Sequence, residues 1–298
     1  MKKSCFFALA LLFLLRIAVG TAEYQIRISP DNLSEYADLP AETINILLIG
    51  TDSWEDVRDE GRSDTMIVCS YNTLTGRVRL LSLARDLLVM IPGGGGYNRL
   101  NAAHSFGGPY LLMKTVNQSF HLNISRYVSL NIYGLMRILN SVDGLQMTIT
   151  PEEAEEINRM IEIEFPHELN PDCPSGDCVL SGLQAMTYAR IRDLDNDFGR
   201  MQRQRRVLAA IAERVASLEP EAQTAFIRTC IQNTSTNIGA SEILSMSASA
   251  LAHGITGIET LTLPLKGTYV FESLEGMSVL LSEEKMLSRN ARSFLYGN

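Results

Sequence analysis

Arginines cluster in one short part of a chain whose net charge is -8. Arg190 and Arg192 are two residues apart, while Arg200, Arg203 and Gln204 are three and four apart. On a strand followed by a helix, these spacings would point guanidinium groups from both elements at one place. Guanidinium forks bind phosphate oxygens bidentately and stay charged at biological pH, so the run is a candidate phosphate or pyrophosphate pocket. The alternative, a solvated basic helix paired with nearby aspartates, is slightly favoured by this run alone.

Further polar stretches follow or separate predicted strands, where ligands collect in α/β sheets. These stretches are residues 50–52, 61–65, 83–86 and 98–101. Asp52 and Asp64 offer the carboxylate oxygens that Mg²⁺ prefers beside phosphate oxygens. Arg62, Arg85 and Arg99 are each able to contact a phosphate. Taken singly, each of these aspartates is more often a turn or cap residue, and each of these arginines more often a surface residue or an ion-pair partner.

The sequence excludes several common kinds of active site. It has no Gly-x-x-x-x-Gly-Lys loop, so it is not a P-loop enzyme, and its four histidines are scattered without a Ser/His/Asp order. An acidic pI of about 5.1 and an export signal argue against a nucleic-acid partner.

The amino terminus has the pattern of a targeting segment. Two lysines precede the apolar run Cys5–Leu15, and small residues follow up to Ala22. The run is shorter than the roughly 20 residues of a spanning helix, and Arg16 interrupts it. We therefore interpret residues 1–22 as a signal peptide or membrane anchor, with cleavage after Ala22 and secretion slightly favoured. Either outcome predicts an extracytoplasmic protein, located at the outer face of the cell membrane or elsewhere in the cell envelope.

Cysteine spacing predicts one small disulfide loop. Cys173 and Cys178 bracket a turn-rich stretch in an exported protein, which is typical of a disulfide. Cys69 and Cys230 lie in apolar segments and are predicted to be buried free thiols.

Strands alternating with helices predict an α/β or mixed three-layer fold. Residues 23–41 are predicted to be a linker, and residues 42–298 one domain. The predicted strands are 44–49, 66–71, 77–83, 127–130, 145–149, 258–264 and 269–271. The predicted helices are 110–120, 133–139, 150–163, 181–186, 202–216, 241–253 and 282–295. Residues 93–96 are predicted to be a loop of glycines.

Six stretches, taken in order, resemble one family. They are Asn45–Asp52, Gly61–Thr65, Leu81–Asp86, Leu100–Ala103 with Gly107–Pro109, Leu180–Arg192 and Asp197–Gln204. Together they resemble the LytR–CpsA–Psr (LCP) family of bacterial envelope proteins. The core motifs cover residues 42–216, and the remainder fits the family loosely.

The resemblance implies a three-layer α/β/α domain with a central mixed sheet that encloses a polyprenyl chain. It implies a phosphotransferase that moves a glycopolymer from a polyprenyl-pyrophosphate carrier to peptidoglycan at the membrane surface. By matching position, the pyrophosphate ligands would be Arg62, Arg85, Arg190, Arg192, Arg200 and Gln204. Asp52 and Asp64 would hold Mg²⁺ (or Mn²⁺), and Asp197 would support the arginines or the metal.

Arg85 and three aspartates are the candidate catalytic residues for such a transfer. Asp52, Asp64 and Asp86 are each candidates to accept the proton of the attacking hydroxyl. Two other functions stay open, a lipid-pyrophosphate hydrolase and a non-catalytic envelope regulator that binds the same lipid. The presence of both Asp52 and Asp64 favours catalysis over binding alone.

Two apolar stretches have two interpretations. Tyr127–Leu139 and Leu208–Ala212 would line a lipid tunnel in such a protein, or would form ordinary core. Periodicity does not separate a tunnel wall from a core wall, and we favour core.

Overall fold

The computed structural model describes residues 40–51, 62–168, 171–239, 241–242, 256–274 and 276–297, with residues 33 and 246. These residues form twelve strands and seven helices. The strands are β1 (Thr43–Thr51), β2 (Ser63–Asn72), β3 (Arg77–Leu83), β4 (Leu88–Ile91), β5 (Gly96–Arg99), β6 (Arg126–Asn131), β7 (Leu145–Ile149), β8 (Gly176–Leu180), β9 (Ser235–Thr236), β10 (Gly257–Leu263), β11 (Tyr269–Leu274) and β12 (Met277–Ser282). The helices are α1 (Ala102–Phe120), α2 (Ile132–Asn140), α3 (Pro151–Glu164), α4 (Gly182–Tyr188), α5 (Asp197–Ser217), α6 (Pro220–Asn233) and α7 (Glu284–Tyr296).

A six-stranded mixed sheet forms the middle of the fold, in the order β10-β3-β2-β1-β6-β9. Strand β2 is antiparallel to both β1 and β3, while β1 pairs in parallel with β6 and β3 pairs in parallel with β10. The carboxyl ends of β1 and β3 therefore meet the amino end of β2 at one edge of the sheet. Residues just beyond these ends are brought close together.

Helices cover both faces of this sheet because its central strands are apolar on both faces. On one face, Leu47 and Ile49 of β1 pack in a cluster with residues of α1 and α7. On the other face, Ile46 and Ile67 pack with Leu208 of α5. Helices α2 to α6 add a further cluster on that second side. The predicted three-layer α/β/α arrangement with a central mixed sheet is confirmed.

Helix starts follow from capping residues that the sequence contains. Thr150 and Glu153 form a capping box at α3, and Ser181 and Gln184 form one at α4. Asn196 caps α5 by accepting hydrogen bonds from two backbone N–H groups. Helix α5 thus begins five residues before the predicted Gln202, because an asparagine cap and an acidic first turn are strong start signals.

The predicted disulfide loop is wrong. Cys173 and Cys178 are both free thiols, and each Sγ lies 3.6 Å from the Pro174 carbonyl oxygen. Residues 176–180 form β8, which pairs with β7 and sets Cys178 opposite Met147. Backbone pairing rather than a covalent bond holds this segment, and burial raises the pKa of Cys173 to about 11.

Several predicted segments lie wholly or mostly outside the residues that the structure describes. The targeting segment 1–22, most of the linker 23–41 and most of the helix predicted at 241–253 lie outside the described residues. Within the described ranges, no helix combines the length and the apolar character needed to cross a bilayer. The predicted glycine loop is confirmed for residues 93–95, which lie in the turn of a β4–β5 hairpin that was not predicted, while Gly96 is the first residue of β5.

Candidate functional site: an arginine cluster at the mouth of an apolar cavity

Asp64 is the centre of the arginine cluster. Its Oδ1 accepts a hydrogen bond from Arg85 Nη1 at 2.6 Å, and its Oδ2 accepts one from Arg192 Nη2. Arg200 reaches the same residue twice, with Nη1 at 3.7 Å from Oδ2 and Nη2 at 3.1 Å from the backbone carbonyl. Three guanidinium groups from three separate segments therefore share one carboxylate.

Strand ends position two members of this cluster. Asp64 is the second residue of β2, and Arg85 lies two residues beyond β3 at the same sheet edge. Gly50 pairs with Thr65 across this edge, and a Cβ at Gly50 would lie 2.9 Å from the Thr65 Cβ. The close approach of β1 to β2 beside Asp64 thus requires glycine.

The first turn of α5 supplies the buried part of the cluster. Arg200 is only 1% exposed, and its Nη2 lies 2.5 Å from Oδ1 of Asp197. The same Asp197 oxygen lies 3.4 Å from Arg85 Nε. Asp197 thus contacts two arginines and joins the start of α5 to the sheet edge.

Burial and charge act in opposite directions on these groups. Burial would raise the pKa of the Asp64 carboxyl, but Arg200, Arg85 and Arg192 outweigh it and hold that pKa below its usual value of 3.8. Burial raises the pKa of Asp197, partly offset by Arg200 and Arg85. Burial also lowers the pKa of Arg200 to about 10, which leaves the guanidinium charged at neutral pH.

Arg190 and Arg192 do not lie on a strand, so the predicted shared strand face is wrong. Helix α4 ends at Tyr188, and both arginines lie in the loop before α5. Arg192 reaches Asp64, whereas Arg190 Nη1 lies 2.5 Å from Oε2 of Glu164 at the end of α3. Both still line the same cavity, because the loop, rather than strand pleating, directs them.

Arg203 clamps this loop instead of joining the arginines around Asp64. It is 5% exposed, and its guanidinium donates to both Asp195 oxygens at 2.9 and 2.5 Å and to the Ile191 carbonyl at 3.0 Å. Gly199 makes room for the clamp, because a Cβ there would lie 2.0 Å from Asp195 Oδ2. The shared helical face suggested by the spacing does not bring Arg203 to Asp64, and the alternative of pairing with a nearby aspartate holds for this residue, because Asp195 captures its side chain.

A second carboxylate, that of Asp86, contacts Arg85 and Arg99 at longer distances. Asp86 Oδ2 is 3.6 Å from Arg85 Nε, and its Oδ1 is 3.5 Å from Arg99 Nε. Arg99 also donates to the Ser278 carbonyl at 2.8 Å, which ties it to β12. Asp86 therefore makes longer ionic contacts than Asp64 and is less tightly held.

The cluster lies at the mouth of a cavity of about 740 Å³. This volume is within the range of small-molecule pockets, about 300–1,000 Å³. The cavity lies between the second face of the sheet and helices α2 to α5. Its apolar lining includes Leu48, Ile67, Val128, Leu130, Leu135, Ile138, Met160, Met186, Val207, Leu208 and Ile211. Its polar mouth includes Arg62, Asp64, Arg85, Arg99, Arg190, Arg192, Arg200 and Gln204.

The preference for ordinary core at 127–139 and 208–212 is therefore wrong for part of each stretch. Val128, Leu130, Leu135 and Ile138 line the cavity from β6 and α2, and Leu208 lines it from α5. The same residues also pack against buried clusters, so hydrophobicity alone gives the same pattern for wall and core.

A model of the LytR_cpsA_psr family matches residues 12–293 of this chain. The chain belongs to this family. The match extends beyond the motif-bearing residues 42–216 and includes β10 to β12 and most of α7.

Two relatives show how similar this chain is to known proteins in sequence and in length. The teichoic acid transferase TagU of Enterococcus faecalis, described as acting from polyisoprenyl-teichoic acid to peptidoglycan, is 39% identical over 180 residues, 59% of this chain and 55% of that protein. Biofilm regulatory protein A of Streptococcus mutans is 31% identical over 261 residues, 82% of this chain and 61% of that protein. The chain thus spans less than two thirds of the length of either relative.

A solved structure of the family has the same fold. The Bacillus subtilis protein YwtF (TagT), with bound octaprenyl pyrophosphate lipid, has a TM-score of 0.68 at 21% identity, covering 91% of this chain and 99% of that one. At this identity the likeness supports the fold alone.

Most of the residues that the family resemblance implies lie around one cavity in this chain. Arg62, Arg85, Arg190, Arg192, Arg200 and Gln204 all line the cavity, while Asp52 lies outside the described residues. Sequence reasoning missed Asn131, Glu156 and Arg159, which also line it. Arg159 forms a bidentate pair with Glu156 and a further contact to Asp193. An i,i+3 ion pair on a helix carries no sequence signal of a site.

Proposed function

We propose that this protein is an extracytoplasmic phosphotransferase, which moves a glycopolymer from a polyprenyl-pyrophosphate carrier to peptidoglycan. The observation that carries the proposal is the guanidinium cluster at the mouth of an apolar cavity. That pairing fits an amphiphile with an anionic head and a long hydrocarbon tail. The teichoic acid transferase activity of TagU and the lipid bound to YwtF (TagT) are in keeping with it.

Fixed arginines would lower the barrier by neutralising charge. A pyrophosphate diester resists nucleophiles because its anionic oxygens repel them. Arg85, Arg192 and Arg200 are already held together by Asp64 and Asp197, so little reorganisation is needed when phosphate oxygens replace these carboxylates. The same groups would stabilise the negative charge that develops on the leaving oxygen.

The reaction would be an in-line substitution at phosphorus. A sugar hydroxyl of peptidoglycan attacks the phosphorus nearer the glycan, and a new P–O bond forms. The bond from that phosphorus to the bridging oxygen breaks, and polyprenyl phosphate leaves with the electron pair. The hydroxyl proton passes to a carboxylate of the protein.

Asp86 is the best-placed proton acceptor among the described aspartates. Both oxygens of Asp64 are engaged by arginines, and its lowered pKa makes it a weak base. Asp86 makes only longer contacts, at 3.5 and 3.6 Å, and is not one of the residues that line the cavity. We therefore assign the proton to Asp86 rather than to Asp64.

A divalent cation, Mg²⁺ or Mn²⁺, fits one part of the site. Among the described residues, no group of three or more His, Cys, Asp or Glu side chains could hold a metal alone. Asp64 is an ionised carboxylate at the cavity mouth, and Mg²⁺ in phosphate sites is commonly held by one or two carboxylates plus substrate phosphates. We propose Asp64 and Asp52 as its ligands, formed when the phosphates take over the arginines. The ion would add charge neutralisation at the phosphate oxygens.

A transfer assay tests the proposed function. Full-length protein, Mg²⁺, a labelled lipid-pyrophosphate glycan and a peptidoglycan fragment are combined, with Arg85→Ala and Arg77→Ala as variants. Arg77 is 53% exposed and pairs with Glu259, so it is a matched arginine distant from the cluster. We expect label joined to peptidoglycan with wild type and Arg77→Ala, and loss of transfer by at least roughly 100-fold in Arg85→Ala. Released glycan phosphate would indicate a hydrolase, and unchanged bound lipid a binding protein.

The metal proposal has a separate readout. Mn²⁺ binding is measured by electron paramagnetic resonance with and without inorganic pyrophosphate. Tight binding is expected only with pyrophosphate, and Asp64→Asn is expected to abolish it. Equal Mn²⁺ binding by Asp64→Asn would remove Asp64 from the metal site.

A further inference from the structure

The β11–β12 hairpin presents aromatic rings beside the arginine cluster. Tyr269 and Phe271 alternate along β11 and therefore share one face of the hairpin. Tyr269 stacks on Phe198 of α5, with ring centroids 5.3 Å apart and planes at 21°. Phe271 meets Tyr269 edge-on at 5.5 Å, yet remains 65% exposed. An exposed ring held in place by two others is a preformed surface for a planar apolar partner.

This surface is joined to the proton-accepting side of the site. The Leu280 N–H of β12 donates to the Asp86 carbonyl at 2.9 Å, and Leu280 lies directly opposite Phe271 in the hairpin. Two strand spacings of about 4.8 Å therefore place the Phe271 backbone about 10 Å from that of Asp86. Arg99, at the cavity mouth, donates to the carbonyl of the neighbouring Ser278.

We propose that Phe271, backed by Tyr269, is the stacking platform for a sugar ring of the acceptor glycan. This inference rests on the proposed function and names the place where the acceptor binds. The donor lipid would occupy the cavity on the other side of the arginines, so the acceptor approaches from the open side, past Asp86. A pyranose face of C–H groups packs on an aromatic ring as other apolar surfaces do. Its hydroxyl edge then lies near Asp86 and the exposed Ser273 and Ser278.

Charge and composition favour a glycan over a lipid surface here. The hairpin and the start of α7 carry the exposed acids Glu272, Glu283 and Glu284 beside the exposed Lys266 and Lys285. Such a mixed surface differs from the clusters of lysine and arginine that bind anionic headgroups. Ser273 and Ser278 pair across the two strands on the face that carries Phe271, so the ring is flanked by hydroxyl groups. An aromatic ring with flanking hydroxyls matches the two sides of a sugar.

The test compares two exposed residues on opposite faces of the same strand. Phe271→Ala, Phe271→Leu and Phe271→Trp are prepared in the full-length protein, with Val270→Ala as the control. Val270 is 56% exposed and points away from the ring face. KM for the peptidoglycan fragment, kcat and the Kd of octaprenyl pyrophosphate are measured separately. Binding of an N-acetylglucosamine hexamer is followed by calorimetry, which needs no turnover.

We expect Phe271→Ala and Phe271→Leu to raise the acceptor KM and weaken hexamer binding by about tenfold, the order of loss for one stacked ring. Phe271→Trp and Val270→Ala should stay within twofold of wild type, and the lipid Kd should be unchanged in all four. Equal acceptor KM for Phe271→Ala and Val270→Ala would overturn the platform. The platform would also be overturned if Phe271→Ala lost binding to anionic vesicles while its hexamer binding was unchanged. That result would assign the hairpin to the membrane. Absence of transfer in the wild type would reject the proposed function, while the hexamer titration would still decide the platform.

Discussion

At the scale of single residues, carboxylates hold the arginines in place before any ligand arrives. Asp64 accepts from Arg85 and Arg192, while Asp197 lies 2.5 Å from Arg200. Guanidinium groups this close would otherwise repel one another in a partly buried site. In the proposed function, phosphate oxygens would take the positions of these carboxylates, and little rearrangement of the arginines would be needed.

Arg192 and Arg190 should contribute unequally to phosphate binding, although the sequence treats them as a pair. Arg192 belongs to the Asp64 cluster, whereas Arg190 is held by Glu164 at 2.5 Å. We expect Arg192→Ala to weaken inorganic pyrophosphate binding by about 10- to 100-fold, the loss of one charged hydrogen-bonding group. Arg190→Ala should weaken it by less than about fivefold. Isothermal titration of both variants checks this, and a larger loss for Arg190→Ala would contradict the geometry.

Asp64 should contribute to stability in a pH-dependent way. Its pKa in the folded protein is below 3.8, so the stabilisation is complete well above that value and is lost as pH falls below it. We expect Asp64→Asn to lower the free energy of unfolding at pH 7 by roughly 1–3 kcal/mol, since its side chain is partly exposed. Urea unfolding from pH 7 to 3 should show the gap to wild type closing only at the acid end.

Added pyrophosphate provides the control for Asp64→Asn. The anion should restore much of the lost stability, because it replaces the missing counter-ion between three arginines. A gap that is independent of pH, or one that pyrophosphate leaves unchanged, would show that Asp64 acts by packing alone.

At the scale of elements, a loop and a helix start are locked together by Asp195. Its carboxylate bridges to Arg203 on α5, while Gly199 leaves the space that the carboxylate occupies. Arg203 also holds the Ile191 carbonyl, one residue before Arg192. The loop conformation that aims Arg192 at Asp64 thus depends on a residue outside the cluster.

Gly199→Ala should release this clamp. The new Cβ would meet Asp195 Oδ2 at 2.0 Å and displace it from Arg203. We expect a loss of roughly 1–3 kcal/mol in unfolding free energy and a weaker pyrophosphate affinity. Gly257→Ala is the matched control, because a Cβ at Gly257 meets nothing within 4 Å. Thermal unfolding and pyrophosphate titration of both variants test this; equal behaviour of the two would reject the clamp.

Elements whose signals are local were predictable from the sequence. The central strands and the capped start of α3 follow from apolar runs and from a Thr-Pro-Glu-Glu start, and the structure has both. The segment 190–192 was not predictable, because alternating arginines in a loop imitate a strand. The role of Arg203 was also hidden, since helical spacing gives its face but not the Asp195 carboxylate that captures it.

At the scale of the whole molecule, the sheet separates two different interiors. Leu47 and Val68 pack in a closed core with residues of α1 and α7, while Leu48 and Ile67, on the opposite face, line the cavity. Both sets are apolar, so the sequence predicts two covered faces but not which one is hollow. The cavity results from the way α2 to α5 pack over the sheet. No single segment of the sequence encodes that packing.

A larger side chain in the cavity should weaken binding of the hydrocarbon tail without changing binding of the pyrophosphate head. Leu208 projects from α5 into the cavity lining, so Leu208→Trp reduces the space for a hydrocarbon chain. We expect octaprenyl pyrophosphate affinity to fall at least about tenfold, the equivalent of roughly two buried methylene groups, with inorganic pyrophosphate affinity unchanged. Leu74→Trp, at a 67% exposed turn position, is the control for adding an indole. Equal octaprenyl pyrophosphate affinity in the two variants would contradict a tail-binding cavity.

The central claim is that one site binds an anionic head with arginines and a hydrocarbon tail in the cavity. The most direct measurement compares the calorimetric Kd values of inorganic pyrophosphate, dimethylallyl pyrophosphate and octaprenyl pyrophosphate for the full-length protein, wild type and Arg85→Ala. We predict that affinity rises with chain length by at least about 100-fold across the series, since each buried CH₂ contributes about 0.8 kcal/mol. All three affinities should fall in Arg85→Ala. Equal affinity for the three ligands, or octaprenyl pyrophosphate binding that is unaffected by Arg85→Ala, would contradict the account.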